Sequence, residues 1–137
     1  MERAFLVIGA VSGLVAVATG AFGSHALRAK LPPERQAQFE IAVRYQLWHA
    51  LGLFAVVFVG ALRFADPRAT SPIVLVGTTS WQALTAGWLF VAGTVLFSGS
   101  LYALALTGRR RWDMVAPIGG TCFILGWAFL ALAAATA

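Results

Sequence analysis

The 137-residue sequence has few charged side chains and only one cysteine. Asp, Glu, Lys and Arg make up 11% of the chain, against about 25% of an average soluble domain. Too few polar side chains remain to cover a water-exposed globule, so the composition excludes a soluble domain. The apolar composition also excludes a disordered chain. Cys122 has no second cysteine to pair with, which excludes an internal disulfide scaffold.

Hydrophobic residues make up 60% of the sequence and fall into four long stretches. A helix needs about 20 apolar residues to cross a hydrocarbon core of about 30 Å. We therefore predict one membrane domain, residues 1–137, with spans at about 4–22, 43–62, 82–106 and 114–135. Residues 63–72 are predicted to form a loop and residues 73–80 an apolar approach at the membrane interface. The fold class is all-α integral membrane, an up-down bundle of four transmembrane helices.

The distribution of Lys and Arg predicts the orientation. Seven lie after spans one and three, against three at the N-terminus and in the middle loop: Arg28, Lys30, Arg35, Arg44, Arg109, Arg110 and Arg111 against Arg3, Arg63 and Arg68. By the positive-inside rule, loops 23–42 and 107–113 are cytoplasmic and both termini lie outside the inner membrane, on the periplasmic side. Because the basic residues flank apolar runs, the lipid bilayer is the expected partner and nucleic acid is not.

Small residues recur at helical spacing in three of the spans. In lipid they matter because they let helix backbones approach closely. Packing within the bundle is one interpretation, and self-association through Gly9-xxx-Gly13 is the alternative. The predicted packing glycines are Gly9, Gly13, Gly20, Gly23, Gly93, Gly99, Gly119, Gly120 and Gly126.

His49 is the ionisable side chain placed deepest in a span. An unpaired imidazole is costly at that depth, so we expect it to face the bundle and share hydrogen bonds. The expected polar cluster consists of Tyr45, Gln46, His49, Ser98 and Tyr102. A structural network, a site for a quinone-like headgroup or other ligand, and a proton relay remain open interpretations of it.

Catalytic and cofactor signals are weak. His25 and His49 are the only histidines, whereas a zinc site takes three or four ligands and haem attachment has its own motif. All five acidic residues flank spans, which disfavours a carboxylate-based pump: Glu2, Glu34, Glu40, Asp66 and Asp113. We therefore expect no metal, no cofactor and no enzymatic activity.

Four segments together resemble a known family. They are Gly20-Ala21-Phe22-Gly23-Ser24-His25, Tyr45-Gln46-Leu47-Trp48-His49-Ala50-Leu51, Phe97-Ser98-Gly99-Ser100-Leu101-Tyr102 and Pro117-Ile118-Gly119-Gly120. The chain resembles the YgdD-like family of small bacterial inner-membrane proteins, the domain-of-unknown-function family 423. The resemblance implies a four-span membrane protein and supplies no catalytic residue or cofactor.

Three functions remain open. The leading hypothesis is a non-enzymatic accessory bundle that binds other membrane proteins or a second copy of itself. The second is a component of an oligomeric transporter or channel, since four closely packed helices leave little lumen in one protomer. The third is a membrane protein that uses the His49 region, either to bind a small ligand such as a quinone or a lipid or, with Tyr45 and Tyr102, as a membrane-embedded enzyme or redox protein.

Overall fold

A computed structural model describes residues 1–62 and 80–136 of the chain. Four of its helices are long and apolar enough to cross a membrane, so the predicted all-α membrane bundle is confirmed. Helix α1 spans Glu2–Leu27, α2 spans Pro33–Leu62, α3 spans Trp81–Thr107 and α4 spans Ala116–Ala135. The predicted loop at 63–72 and nearly all of the predicted interfacial approach at 73–80 lie outside the described residues. Where each helix enters the bilayer stays a prediction.

The helix ends follow local chemistry. Pro33 begins α2, where a missing amide donor costs little. The Ser80 hydroxyl caps α3 by accepting a hydrogen bond from the amide of Ala83 at 3.3 Å. Gly108 ends α3 in the left-handed conformation with φ 69°, which glycine adopts without strain. Pro117 lies in the first turn of α4, as predicted.

Two turns of π-helix interrupt the regular helices. Gly23–Leu27 forms the last turn of α1, and Thr94–Ser98 lies in the middle of α3. A π-helical turn holds more residues than an α-helical turn, so it rotates the residues that follow it relative to a straight helix. This rotation changes which side chains of α3 face the bundle.

Phenylalanine side chains that fit against glycines hold the four helices together. The ring of Phe5 on α1 lies over Gly87 of α3, and the ring of Phe90 on α3 lies between Gly52 of α2 and Gly126 of α4. Both rings are fully buried. In lipid, van der Waals contact of this kind drives helix association, because the tails solvate apolar side chains as well as the protein does.

A hydrogen bond also joins the start of α2 to the end of α3. Nε of Arg35, near the start of α2, donates to the carbonyl oxygen of Ala105 at 2.7 Å. A guanidinium at this point satisfies an open carbonyl at the end of α3 and interacts favourably with the negative end of its dipole. The segments predicted as loops, 23–42 and 107–113, therefore lie at the same end of the bundle, as the predicted topology requires. The first is mostly helical, because only residues 28–32 lie between α1 and α2.

Candidate functional site

His49 lies in the middle of α2 and is 3% exposed. Its Nδ1 is 2.7 Å from the carbonyl oxygen of Tyr45, and its Nε2 is 3.2 Å from Nε1 of Trp127 on α4. An indole nitrogen only donates, so Nε2 accepts and Nδ1 carries the proton that is donated to Tyr45. A doubly protonated imidazole would leave Trp127 without an acceptor. The geometry therefore assigns the neutral Nδ1–H tautomer.

Aromatic rings surround this imidazole. The Phe123 ring stacks on it with centroids 3.4 Å apart and planes 9° from parallel, and Tyr45 and Phe90 lie at 6.0 and 5.3 Å. A groove of about 370 Å³ runs beside the imidazole between α2, α3 and α4. It is lined by Tyr45, Trp48, His49, Phe97, Gly120, Phe123, Ile124 and Trp127. Trp48 and Trp127 are half-exposed, so the groove opens on the outer surface of the bundle.

Gln46 forms a second polar network on the other side of α2. Its Oε1 accepts a hydrogen bond from the Tyr102 hydroxyl at 2.9 Å, and its Nε2 donates to the carbonyl oxygen of Ser12 at 3.1 Å. The Tyr102 oxygen is also 3.1 Å from Oγ1 of Thr19. This network joins α1, α2 and α3 through a buried amide.

The predicted single polar cluster is therefore divided into two. Tyr45 and His49 lie beside α4, whereas Gln46 and Tyr102 lie beside α1, and no hydrogen bond links the two networks in the described ranges. Ser98 belongs to neither: it is 1% exposed, and its hydroxyl has no partner among those residues. Gln46 and His49 are three residues apart on α2 and face different neighbouring helices, which divides the cluster. The π-helical turn that ends at Ser98 also changes the direction of the α3 side chains relative to a straight helix.

Two members of these networks, Trp127 and Thr19, are not among the cluster residues predicted from the sequence. A signal for Trp127 existed, because an indole N–H in an apolar span needs an acceptor. Thr19 gave a weaker signal, because its hydroxyl is also 2.8 Å from the carbonyl oxygen of Val15 in its own helix, and its one proton goes either there or to Tyr102.

Most of the predicted packing glycines meet another helix. A Cβ at Gly9 would lie 3.1 Å from the carbonyl oxygen of Ala50, so this half of the Gly9-xxx-Gly13 motif is already covered by α2. A Cβ at Gly119 would collide with the backbone of Phe97. The same close fit to a side chain or backbone of another helix is found at Gly20, Gly23, Gly93 and Gly126, whereas Gly120 makes only ordinary contact.

Gly13 and Gly99 were predicted to pack against other helices, and the structure shows that they do not. A Cβ on either would meet nothing within 4 Å. Beside Gly13, the long Gln46 side chain contacts α1 at Ser12 instead. Gly99 directly follows the π-helical turn and is exposed on the outer side of α3.

The other side chains that could bind a metal ion lie far apart in the described residues. His25 is exposed in the last turn of α1, and Cys122 is partly buried on α4. In residues 1–62 and 80–136, no three His, Cys, Asp or Glu side chains come together. The expectation that the chain carries no metal or cofactor stays a prediction.

Comparison with known proteins identifies relatives along the whole chain. The family profile described as "Protein of unknown function (DUF423)" matches residues 19–120. The chain is 40% identical to a UPF0382 membrane protein of Staphylococcus epidermidis over 96% of this chain and 94% of the relative. It is 39% identical to the UPF0382 membrane protein YwdK of Bacillus subtilis over 96% of each chain. No solved structure matches.

Proposed function

The chain belongs to the DUF423 family of membrane proteins, and we propose that it is a non-enzymatic accessory bundle that binds a partner protein within the membrane. The supporting observation is how His49 and Gln46 are used. Both nitrogens of the imidazole and both polar atoms of the amide are engaged in hydrogen bonds within the chain. These groups stabilise contacts between helices and are not held free for chemistry.

The partner surface in this proposal is the outer face of α1. Of the four helices, α1 buries the smallest share of its apolar length inside the bundle. Leu6 and Val17, seven residues before Gly13 and four after it, lie on its side of α1 and are exposed, and the space beside Gly13 is open. A second membrane helix can approach closely where a glycine lies among larger apolar side chains.

The proposed location is the plasma membrane, the inner membrane where there are two. In this proposal segments 23–42 and 107–113 are cytoplasmic and both termini face outward, since seven basic residues lie at one end of the bundle and three in the other segments. Because its proposed surface is the outer face of α1, the partner contacts this chain within the bilayer.

Crosslinking in native membranes tests this function. The tagged chain is crosslinked, purified and analysed by mass spectrometry, alongside Gly13→Leu and the matched control Gly99→Leu. A Cβ at either glycine meets nothing within 4 Å, and a melting temperature of each variant shows that it folds. We expect one protein to be recovered in constant ratio with the parent and with Gly99→Leu, and to be lost with Gly13→Leu. Recovery that is the same for all three chains would contradict the proposal.

A second candidate function is the binding of a lipophilic ring compound, such as a quinone, in the groove beside His49. The groove favours it, because aromatic walls that open sideways towards lipid suit a flat apolar ligand. A short-chain benzoquinone should then quench tryptophan fluorescence saturably. Gly120→Leu fills the groove and should abolish saturation, while Gly99→Leu should retain it. Linear quenching in the parent would exclude this candidate.

A further inference from the structure

A second groove lies between the end of α1 and the first half of α2, away from His49. It consists of two adjoining hollows of about 270 and 520 Å³ that share Ser24 and Glu40 in their walls. Gln36 fixes the two walls together, because its Nε2 donates to the carbonyl oxygen of Gly23 at 3.3 Å. The groove is thus formed by two helices that are linked across it.

The inner hollow is apolar at its base. Gly20 leaves space there, and Val43 and Phe39 form the wall on α2. A Cβ at Gly20 would lie 3.2 Å from Val43, and one at Gly23 would meet the Phe39 ring at 2.6 Å. Larger side chains on α1 would close the hollow. This part of the groove has the chemistry that suits an acyl chain.

Two arginines stand at the rim. Arg44 lines the inner hollow and Arg28 the outer one. Both are exposed, and neither has a hydrogen bond or an ion pair with any residue in the described ranges. Guanidinium groups match the geometry of phosphate oxygens and bind them through paired hydrogen bonds. One uncommitted guanidinium group lines each of the two adjoining hollows, and the inner hollow is apolar at its base. This combination favours a ligand that carries both a phosphate and a chain.

Glu40 supplies a hydrogen-bond acceptor in the same rim. Its Oε1 accepts a hydrogen bond from Gln36 at 3.1 Å, which leaves its other oxygen open. With two arginines against one carboxylate, the rim keeps a positive charge, so an anionic headgroup is favoured over a neutral one. A headgroup hydroxyl could donate to Glu40 while the phosphate contacts Arg28 and Arg44.

We propose that this groove binds one anionic glycerophospholipid with a hydroxylated headgroup, of the phosphatidylglycerol class. The phosphate lies between Arg28 and Arg44, a headgroup hydroxyl donates to Glu40, and the first part of an acyl chain lies against Gly20 and Val43. The proposal goes beyond the accessory function and requires only that the chain lies in a membrane.

The test measures lipid binding to the full-length chain in detergent. Phosphatidylglycerol is compared with phosphatidylcholine of the same chains, with glycerophosphoglycerol and with inorganic phosphate. We expect phosphatidylglycerol to bind more tightly than each of the other three. Arg28→Gln and Arg44→Gln should each weaken its binding about fivefold, the effect of one basic side chain at an anionic lipid surface. Arg3→Gln, at the other end of α1, is the matched control and should leave affinity unchanged.

Each other result overturns the proposal. Equal binding of phosphatidylcholine would show that charge does not select the ligand. Equal binding of glycerophosphoglycerol or phosphate would show a site for a soluble anion. Unchanged affinity in both arginine variants, or an equal loss in Arg3→Gln, would place binding elsewhere. Arg28 and Arg44 are exposed, so both should be replaceable without loss of fold. The melting temperature of each variant, measured without lipid, shows that the fold is kept.

Discussion

Nε1 of Trp127 donates a hydrogen bond to Nε2 of His49 at 3.2 Å, from the middle of α4 to the middle of α2. The contact determines which imidazole nitrogen carries the proton. It also couples two helices through side chains that are 78 residues apart in the sequence. In the low dielectric of a bundle, a polar pair of this kind stabilises the fold when both members are satisfied and is costly when one is removed.

Replacement of His49 should destabilise the bundle. His49→Ala leaves the Trp127 donor without a partner, and we expect a loss of roughly 1 to 2 kcal/mol in the free energy of unfolding. His49→Gln, which keeps an acceptor, should lose less. Thermal or denaturant unfolding in detergent measures both, with the exposed His25→Ala as control. A His49→Ala chain as stable as the parent would remove the structural role of the imidazole.

The network of Gln46 gives a second test. Tyr102→Phe removes a hydroxyl and leaves Oε1 of Gln46 buried without its donor, which should cost about 1 kcal/mol. Tyr45→Phe is the matched control, because the Tyr45 hydroxyl has no hydrogen bond to any residue in the described ranges. In a double-mutant cycle, Gln46→Leu with Tyr102→Phe should cost less than the sum of the single changes. Additive losses would show that the two side chains act independently.

Two glycines at different positions should respond differently to one added methyl group. Gly119→Ala directs a Cβ at the backbone of Phe97, which cannot move aside as a side chain could, so we expect a loss of about 2 kcal/mol or more. Gly99→Ala meets open space and replaces a helical glycine by a better helix former, so it should leave stability unchanged or raise it by up to about 1 kcal/mol. Melting temperatures of the two purified variants test the contrast. Equal losses would contradict the packing described between α3 and α4.

Labelling of single cysteines tests the orientation. In a Cys122→Ala background, Arg110→Cys lies in a predicted cytoplasmic loop and Arg3→Cys at a predicted outer end. An impermeant thiol reagent applied to intact cells should label position 3 and not position 110, while both should react after the membrane is opened. The reverse pattern would overturn the orientation derived from the basic residues.

The sequence predicts the helices of this protein well and its side-chain pairing poorly. Length and apolar content are enough to predict each span, because a bilayer admits few alternatives. Pro33 and Pro117 could be placed in the first turns of their helices, because a missing amide donor costs little there. The hydrogen-bond partner of His49 could not be predicted, since its pairing with Trp127 depends on how α4 is rotated against α2. The π-helical turn at Thr94–Ser98 shifts the register of α3, and nothing in the spacing of Ser98 and Tyr102 indicates it.

In the proposed function, the polar interior of the bundle stabilises the fold and is not kept for a ligand. The most direct measurement is a ¹⁵N NMR spectrum of the His25→Gln chain in lipid bilayers, in which His49 is the one remaining imidazole. We expect a protonated Nδ1 and an unprotonated Nε2, and the same spectrum after addition of zinc or a short-chain quinone. A protonated Nε2, or signals that shift when either compound is added, would contradict it.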